Sequence, residues 1–356
     1  MKKLRVAIIG QGRSGRNIHG AFYLSDANTL FEVACVVDAD EHRRALATND
    51  FPHAEILSDY RELLGRKDVD LVVNASYSEM HYPISKDLLE HGFHVLCEKP
   101  FGRNREECET LMRIAKEKKC VLAVFHNTQE APFYLHALET IRSGKLGEIK
   151  QISIYYNGFA RRWDWQTLQK KLAGSVYNTG PHPIAMALGF LDFDAETRVA
   201  FSKLDLALTS GDAEDYAKMI LEAPNRPVID LEISSVDAYN DFNLKIQGSR
   251  GTMKSTPTAY KMKYIVDGEN PDRPVQEDFI HDENWRPIYC KEKLNVHEEQ
   301  GTYEGTAFNV GTKAIYESVY YAITAGKPLT VTCEMAAAVI DVIDTVHAQN
   351  PLPVKF

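Results

Sequence analysis

The sequence predicts an α/β protein with two domains: a doubly wound parallel sheet, followed by an α+β domain built on antiparallel strands. Its 356 residues exceed the length at which a single hydrophobic core stops growing. Short, continuously apolar runs alternate with helix-period segments as far as Asn127, after which period-two strand patterns dominate. We therefore place the domain boundary near residue 125, with residues 1–125 in the first domain and residues 126–356 in the second.

The first half contains six apolar runs separated mostly by helix-period segments. Because these runs are continuously hydrophobic rather than alternating, we expect strands that helices cover on both faces, as in a parallel sheet. The predicted strands are residues 4–10, 31–38, 54–57, 70–76, 94–98 and 121–127.

The second half is richer in strands than in helices. Its strand candidates follow a period of two and few helices lie between them, which favours an antiparallel sheet. The predicted strands are residues 148–158, 197–208, 216–223, 227–236 and 242–249, and the helical patterns are residues 133–147, 309–326 and 333–350.

Composition excludes several classes of protein. The net charge of -9 disfavours a nucleic-acid or anionic-membrane partner, since both reward clustered Lys and Arg. No stretch approaches the ~18 apolar residues that cross a bilayer. The six cysteines form no CxxC pair and the histidines show no metal-ligand spacing, so we expect a cytoplasmic protein without a metal site.

A glycine-rich motif predicts a dinucleotide site. The stretch "GQGRSG", residues 10–15, has G-x-G-x-x-G spacing, follows an apolar strand and opens a helical pattern. Gly10 permits a tight turn, Gly12 lets the backbone approach a pyrophosphate, and Gly15 allows close helix packing. The helix that follows would direct its N-terminus at the anion.

Asp38 sets the expected cofactor preference. It ends the second strand, where its carboxylate would accept hydrogen bonds from the ribose hydroxyls and repel a 2′-phosphate. NAD is therefore favoured over NADP. Arg43 and Arg44 keep the opposite answer open, because a guanidinium could pair with that phosphate.

Lys99 is the first candidate for proton transfer. In "HVLCEKPFG", residues 94–102, Glu98, Lys99 and Pro100 follow a strand at its carboxyl end, where open α/β sheets bind ligands. An oxidised nicotinamide nearby would lower the pKa of Lys99, so that the lysine could relay or donate a proton at a substrate hydroxyl. Glu98 is expected to orient the lysine or to contact cofactor, and Pro100 to hold Lys99 in an extended conformation.

His182 is the second candidate. It lies four residues after Asn178 in "GSVYNTGPHPIAMAL", residues 174–188, whose glycine and prolines favour a loop running into a helix. A histidine at a helix start is a candidate general base at neutral pH, and a structural histidine is the alternative.

These motifs, in this order, resemble the Gfo/Idh/MocA oxidoreductases over essentially the whole chain. They are the strand-borne glycine motif, "EKP" after the fifth strand, "RSGKLGEI" leading into the second domain, and a G-x-x-x-N-x-G-x-H loop. The resemblance implies a Rossmann domain, then an α/β domain whose large open sheet often mediates dimers or tetramers. It also implies NAD(P)-dependent oxidation or reduction of a sugar or cyclitol carbon, with Lys99 and His182 as catalytic residues.

Two positions depart from the family pattern. The family's usual aspartate falls on Asn178 and its usual acid after the histidine falls on Ala185. Either Asn178 binds a substrate hydroxyl, or another acid such as Asp164 supports the base, or the activity is weakened.

The candidate site residues fall into two sets. The cofactor set is Gly10, Gln11, Gly12, Arg13, Ser14, Gly15, Asp38, Ala75, Ser76, His81, Glu98 and Lys99. The substrate set is Lys99, His126, Asn127, Arg161, Arg162, Trp163, Asn178 and His182. Residues 161–166, "RRWDWQ", would suit a polyhydroxylated ring or an anionic substrate group, unless they form a packing or interface loop.

Three functions compete. The first is a dehydrogenase that moves hydride between NAD(P) and a carbinol carbon. The second uses NAD transiently to assist glycosidic cleavage or elimination, with no net cofactor turnover. The third, motivated by Asn178 and Ala185, is a non-catalytic NAD-binding regulator.

Overall fold

The first half of the chain folds into a six-stranded parallel sheet. In the computed structural model, which describes residues 2–356, the strand order is β3-β2-β1-β4-β5-β6 and every pairing is parallel. The strands are β1 Leu4–Ile9, β2 Phe31–Val37, β3 Glu55–Leu57, β4 Leu71–Asn74, β5 His94–Cys97 and β6 Leu122–Val124. The predicted doubly wound sheet is confirmed. Its strands are buried almost throughout, which is why their sequences are continuously apolar.

Helices connect these strands. After β1 a π-helical segment, Gly15–Gly20, continues directly into α1, Ala21–Leu24. The later helices are α2 Glu41–Asp50, α3 His81–Glu90, α4 Arg105–Lys118 and α5 Pro132–Arg142. Side chains fix where α2 and α4 begin: Asp40 accepts a hydrogen bond from the Arg43 amide at 2.9 Å, and Asn104 one from the Glu107 amide at 3.1 Å.

The second half contributes an eight-stranded sheet, in the order β16-β13-β12-β11-β7-β10-β9-β8. Only β7 and β10 pair in parallel, so the predicted mainly antiparallel sheet is confirmed. The strands are β7 Ile149–Asn157, β8 Arg198–Asp205, β9 Tyr216–Glu222, β10 Val228–Ser234, β11 Leu244–Gly248, β12 Gly251–Ser255, β13 Ala259–Tyr264 and β16 His297–Thr302. A small hairpin, β14 Ile280–His281 and β15 Pro287–Ile288, lies between β13 and β16.

After α5, four more helices lie in the second half: α6 Ser175–Asn178, α7 Pro181–Phe190, α8 Thr312–Ala325 and α9 Cys333–Gln349. Helices α7 and α9 pack on the eight-stranded sheet. Helix α8 returns to the first sheet, where the fully buried Tyr316 stacks on Phe22 with ring centroids 4.3 Å apart. Hence the sheets lie on either side of the predicted boundary, whereas α8 packs with residues of the first half. None of the helices within residues 2–356 is both long and apolar enough to cross a membrane.

The segment before His182 differs from its prediction. We expected a loop, but residues 175–178 form one helical turn. Glu214 is the reason, because its backbone carbonyl accepts the Ser175 amide and its carboxylate accepts the Val176 amide, each at 2.8 Å. A buried carboxylate 36 or more residues away in sequence therefore fixes the start of this turn. The local sequence pattern does not reveal that contact.

Candidate active site

A cleft of about 670 Å³ runs along the carboxyl ends of the parallel strands. It opens where β1 meets β4, the topological switch point at which doubly wound sheets bind ligands. Both halves of the chain line it, since Lys99 from the first half and Asn178 and His182 from the second share its wall.

The glycine motif lines the end of the cleft where a dinucleotide would bind. Gly10 has φ +91° and a Cβ there would lie 2.3 Å from the Ala75 carbonyl oxygen, while a Cβ on Gly15 would collide with the Gly10 carbonyl. These two glycines are required by the packing of the protein itself. A Cβ on Gly12 would meet no atom within 4 Å, so the backbone beside it is open to a ligand.

Asp38 lines the same end of the cleft as the glycine motif. Its Oδ2 accepts the Gln11 amide at 2.7 Å and its Oδ1 accepts the Asp40 amide at 2.9 Å. Arg43 lies 3.8 Å from the carboxylate and lines the cleft, whereas Arg44 donates to the carbonyl oxygens of Asp38 and Ala39. These residues fit a dinucleotide: the open backbone at Gly12 can take a pyrophosphate, and Asp38 the ribose hydroxyls.

Glu98 lies behind Lys99 in a buried pair with His19. The Glu98 Oε1 lies 3.1 Å from His19 Nε2, and His19 Nδ1 lies 2.8 Å from the Tyr316 hydroxyl. Burial acts to raise the pKa of Glu98, but the hydrogen bond and charge of His19 and the charge of Lys99 outweigh it and lower that pKa. Glu98 Oε2 also accepts the Lys99 amide at 3.1 Å, so Glu98 fixes the lysine's backbone.

Lys99 reaches into the cleft. Its Nζ donates to the Asn178 carbonyl oxygen at 2.6 Å, which ties the lysine turn to the end of α6. Burial lowers the pKa of Lys99; Glu98 acts to raise it, and the charges of Arg13 and Arg162 lower it further. The peptide between Lys99 and Pro100 is cis.

His182 is the second residue of α7, and no carboxylate of residues 2–356 is hydrogen-bonded to its ring. Its Nδ1 instead lies 2.5 Å from the Thr128 hydroxyl. Asn178, at the family's aspartate position, accepts a hydrogen bond from Gln166 through its side-chain oxygen at 2.8 Å. Burial strongly lowers the pKa of His182, and the positive charges of Lys99 and His126 act in the same direction.

The remaining candidates among residues 75–127 differ in how deeply they are buried. Ala75, Ser76, His81 and Asn127 line the cleft. His126 is buried beneath it with its Nδ1 unpartnered by any residue in the range 2–356, and burial lowers its pKa to about 4.

The residues of the glycine loop are likewise divided into those that line the cleft and those that are buried beneath it. Gly10, Gly12, Arg13 and Ser14 line the cleft, whereas Gln11 and Gly15 are buried beneath it. All of these predicted residues therefore lie at or just below one surface.

The segment of residues 161–166 is placed only in part as the sequence suggested. Arg162 lines the cleft, paired with Asp164 at 2.8 Å, but Arg161 and Trp163 do not line it, and Trp163 is 76% exposed. The second indole, Trp165, lines the cleft instead and packs edge-on against Tyr77 with ring centroids 4.9 Å apart.

Cleft residues that escaped the sequence analysis include Tyr77, Thr179 and Phe308, whereas Trp165 and Gln166 were included only as part of the segment of residues 161–166. His19 and Thr128, which hold Glu98 and His182, were also missed. A histidine four residues after the last motif glycine was the one available signal for His19. No sequence signal indicated Phe308, because its segment reaches the cleft only through the packing of α8 on the first sheet.

Comparison with known proteins agrees with this fold. The model of the oxidoreductase family's NAD-binding Rossmann fold matches residues 4–126, and that of its C-terminal alpha/beta domain matches residues 139–350. The chain is 25% identical to the scyllo-inositol 2-dehydrogenase (NADP(+)) IolW of Bacillus subtilis, over 96% of this chain and 92% of that protein. It is 26% identical to the levoglucosan dehydrogenase of Pseudarthrobacter phenanthrenivorans, over 75% and 71% respectively.

Solved structures show the same fold. GenD2 from gentamicin A biosynthesis, solved in complex with NAD, superposes with a TM-score of 0.74 at 21% identity, covering 98% of this chain and 94% of that one. An NAD-binding protein from Listeria innocua gives 0.78 at 19% identity, covering 98% of each. With both domain models matched in order along nearly the entire sequence, the chain belongs to the Gfo/Idh/MocA family of oxidoreductases.

Proposed function

We propose that the protein is an NAD(P)-dependent dehydrogenase that transfers hydride between the nicotinamide cofactor and a CH–OH carbon of a sugar, a sugar derivative or a cyclitol. The observation that carries this proposal is the convergence of Lys99 and His182 on one cleft that also contains the open glycine loop. When bound, the cofactor supplies the hydride acceptor or donor. The named relatives act on inositol and levoglucosan, both rich in CH–OH groups.

The chain's own residues suit a polyhydroxylated ligand. Asn127, Gln166 and Thr179 offer uncharged donors and acceptors in the cleft, and Trp165 offers an apolar face. Because burial lowers the pKa of Lys99, its amine can exchange a proton with a substrate oxygen more readily than the amine of an exposed lysine.

We further propose that NAD is preferred over NADP. Asp38 would repel a 2′-phosphate, and Arg44 is occupied by backbone carbonyls. Arg43 alone of the two arginines lines the cleft, which is the feature that would favour NADP.

A homodimer or homotetramer through the eight-stranded sheet is a separate proposal. Phe201 and Val228 lie on the face turned away from α7 and α9, where they are 52% and 40% exposed. Light scattering after size exclusion tests it, and a monomeric mass at micromolar concentration would contradict it.

The dehydrogenase proposal is tested with a panel of inositols, aldoses, sugar acids and amino sugars, each with NAD and NADP, read by reduced-cofactor absorbance. Net cofactor reduction with one substrate, abolished in Lys99→Ala, supports it. Turnover without net cofactor change would instead indicate the redox-assisted cleavage reaction. Tight cofactor binding without turnover of any member would indicate the regulator.

A further inference from the structure

The contact between His182 and Thr128 bears on how the histidine ring is protonated. Thr128 lies in the turn after β6, is 7% exposed, and has its hydroxyl 2.5 Å from His182 Nδ1. Within residues 2–356 this nitrogen is the one hydrogen-bond partner of the hydroxyl, and which of the two atoms donates depends on the ring tautomer. A ring that accepts at Nδ1 carries its own proton on Nε2.

The groups around His182 keep the ring in this neutral form. Lys99, at the end of β5, and His126, at the end of β6, lie near the imidazole, and the positive charge of either group, when it is protonated, lowers the pKa of His182. Among residues 2–356, Glu98 is the only acid that acts in the opposite direction, and its carboxylate is bound to His19. On the histidine's own segment, Asn178 and Ala185 occupy the positions where the family carries acids. Burial adds to the effect by lowering the pKa of His182.

Nε2 is then the ring nitrogen that a ligand can reach, because His182 lines the cleft and Thr128 occupies the other nitrogen. With the Thr128 hydroxyl as donor to Nδ1, Nε2 presents an N–H donor rather than a lone pair. A neutral imidazole that polarises a substrate oxygen is a known alternative to a histidine base.

We propose that His182 acts as a neutral hydrogen-bond donor to the reacting substrate oxygen, that Thr128 is the positioning residue that fixes this tautomer, and that Lys99 alone takes the hydroxyl proton. This inference rests on the proposed dehydrogenase function. In the oxidation direction the substrate O–H bond breaks and its proton passes to the neutral Lys99 amine, which becomes an ammonium. The C–H bond breaks with its electron pair, hydride leaves to the oxidised nicotinamide, and the oxygen becomes a carbonyl that His182 Nε2–H holds.

The tautomer can be measured without any substrate. Protein labelled with ¹⁵N-histidine, free of cofactor, is examined by long-range ¹H–¹⁵N correlation spectra from about pH 5.5 to about pH 8.5. The His182 signals are assigned by their loss in His182→Gln. We expect a neutral Nε2–H ring throughout this range.

Three variants of one residue provide matched controls. Thr128→Ser keeps the hydroxyl and should keep the tautomer. Thr128→Val has the same shape without the hydroxyl and should give a mixture of tautomers. Thr128→Asp adds the missing carboxylate and should bring the titration of His182 into the measured range.

Three results would overturn the proposal: titration of wild-type His182 near its ordinary pKa of about 6.5, a proton on Nδ1 in the wild type, or an unchanged tautomer in Thr128→Val. A kinetic arm uses the best substrate of the panel. There Thr128→Val should lower kcat by about tenfold, the loss of one well-placed hydrogen bond, and Thr128→Ser should recover most of that loss.

The two arms separate the proposals. If no substrate is turned over, the dehydrogenase function fails while the spectra still report on the ring. If turnover occurs and the spectra show an imidazolium, the dehydrogenase function stands and the neutral-donor role falls.

Discussion

Glu98 and His19 form a buried acid–imidazole pair that joins the helix after the glycine loop to the lysine turn. His19 Nε2 and Glu98 Oε1 lie 3.1 Å apart, and the side chains are 0% and 3% exposed. The glycine loop and Lys99, to which we assign the substrate proton, are thus linked through this contact.

Replacing His19 by Leu should therefore destabilise the fold. The substitution leaves a buried carboxylate without its partner, a change that typically costs about 3–5 kcal/mol. Tyr316→Phe is the control, because it removes only the hydroxyl next to His19 Nδ1 and should cost about 1 kcal/mol. Urea unfolding measures both free energies, and equal losses in the two variants would contradict the importance of the Glu98 pair.

The parts of this site that the sequence predicted are those encoded locally. The glycine spacing, Asp38 and Lys99 each follow directly from a strand that continuous hydrophobicity marks, and parallel strands place their carboxyl ends on one edge. The eight-stranded sheet was recognised through its apolar alternation, but β12, β13 and β16 were missed. The sequences of β13 and β16, "AYKMKY" and "HEEQGT", are largely polar because β16 is the edge strand and β13 lies next to it.

The parts that escaped prediction depend on long-range contacts. Thr128 and His182 are 54 residues apart, and His19 and Tyr316 are 297 apart. The choice between Trp163 and Trp165 depends on a loop without periodicity, so no pattern distinguishes the exposed indole from the one in the cleft.

Gly12→Ala should leave the fold stable and weaken dinucleotide binding. The new methyl meets no protein atom within 4 Å but enters the space through which a pyrophosphate would approach. We expect the free energy of unfolding to change by less than about 0.5 kcal/mol, and the Kd for reduced cofactor, measured by fluorescence titration, to rise at least about tenfold.

Gly10→Ala is the contrasting variant. Its φ of +91° and the 2.3 Å approach to Ala75 predict a loss of stability first, visible in urea unfolding even without cofactor. If Gly12→Ala were the less stable of the two, the open space at Gly12 would not be what distinguishes these glycines.

Trp165→Ala should weaken substrate binding while leaving cofactor binding intact. Its ring lines the cleft and packs on Tyr77, so its removal takes away an apolar face worth about 1 kcal/mol and raises KM by about five- to tenfold. Trp163→Ala, two residues away and 76% exposed, is the matched control and should change KM by less than about twofold. Steady-state kinetics measure KM for both variants. A larger rise in KM in Trp163→Ala than in Trp165→Ala would mean that Trp163, and not Trp165, contacts the substrate.

Asp38→Asn should shift cofactor preference toward NADP. The amide keeps an oxygen that can accept the Gln11 amide but removes the negative charge that opposes a 2′-phosphate. Arg43, 3.8 Å from that carboxylate, would then be available to the phosphate. We expect the ratio of kcat/KM for NADP to that for NAD to rise by about 10- to 100-fold. Adding Arg43→Gln to Asp38→Asn should reverse much of this gain, and an unchanged ratio in Asp38→Asn would mean that Asp38 does not set the preference.

The pair of His347 and Glu214 should make stability fall as pH rises. His347 Nε2 lies 3.4 Å from Glu214 Oε2; burial acts to lower the pKa of His347, but the hydrogen bond and charge of Glu214 outweigh it and raise that pKa. A raised pKa means that the folded state holds the proton more tightly, so this contribution is complete below the unfolded value of about 6.5 and disappears as pH rises through the folded value.

The measurement compares wild type with His347→Gln in urea from about pH 6 to about pH 8.5. The other titrating groups are common to both proteins, so the difference in unfolding free energy isolates the pair. It should decrease as pH rises, whereas a constant or increasing difference would contradict the raised pKa. Because Glu214 also accepts the Val176 amide at the start of α6, loss of the pair at high pH should loosen the turn whose Asn178 carbonyl binds Lys99. Amide hydrogen exchange at residues 175–178 should therefore accelerate more steeply with pH in the wild type than in His347→Gln, beyond the intrinsic rate.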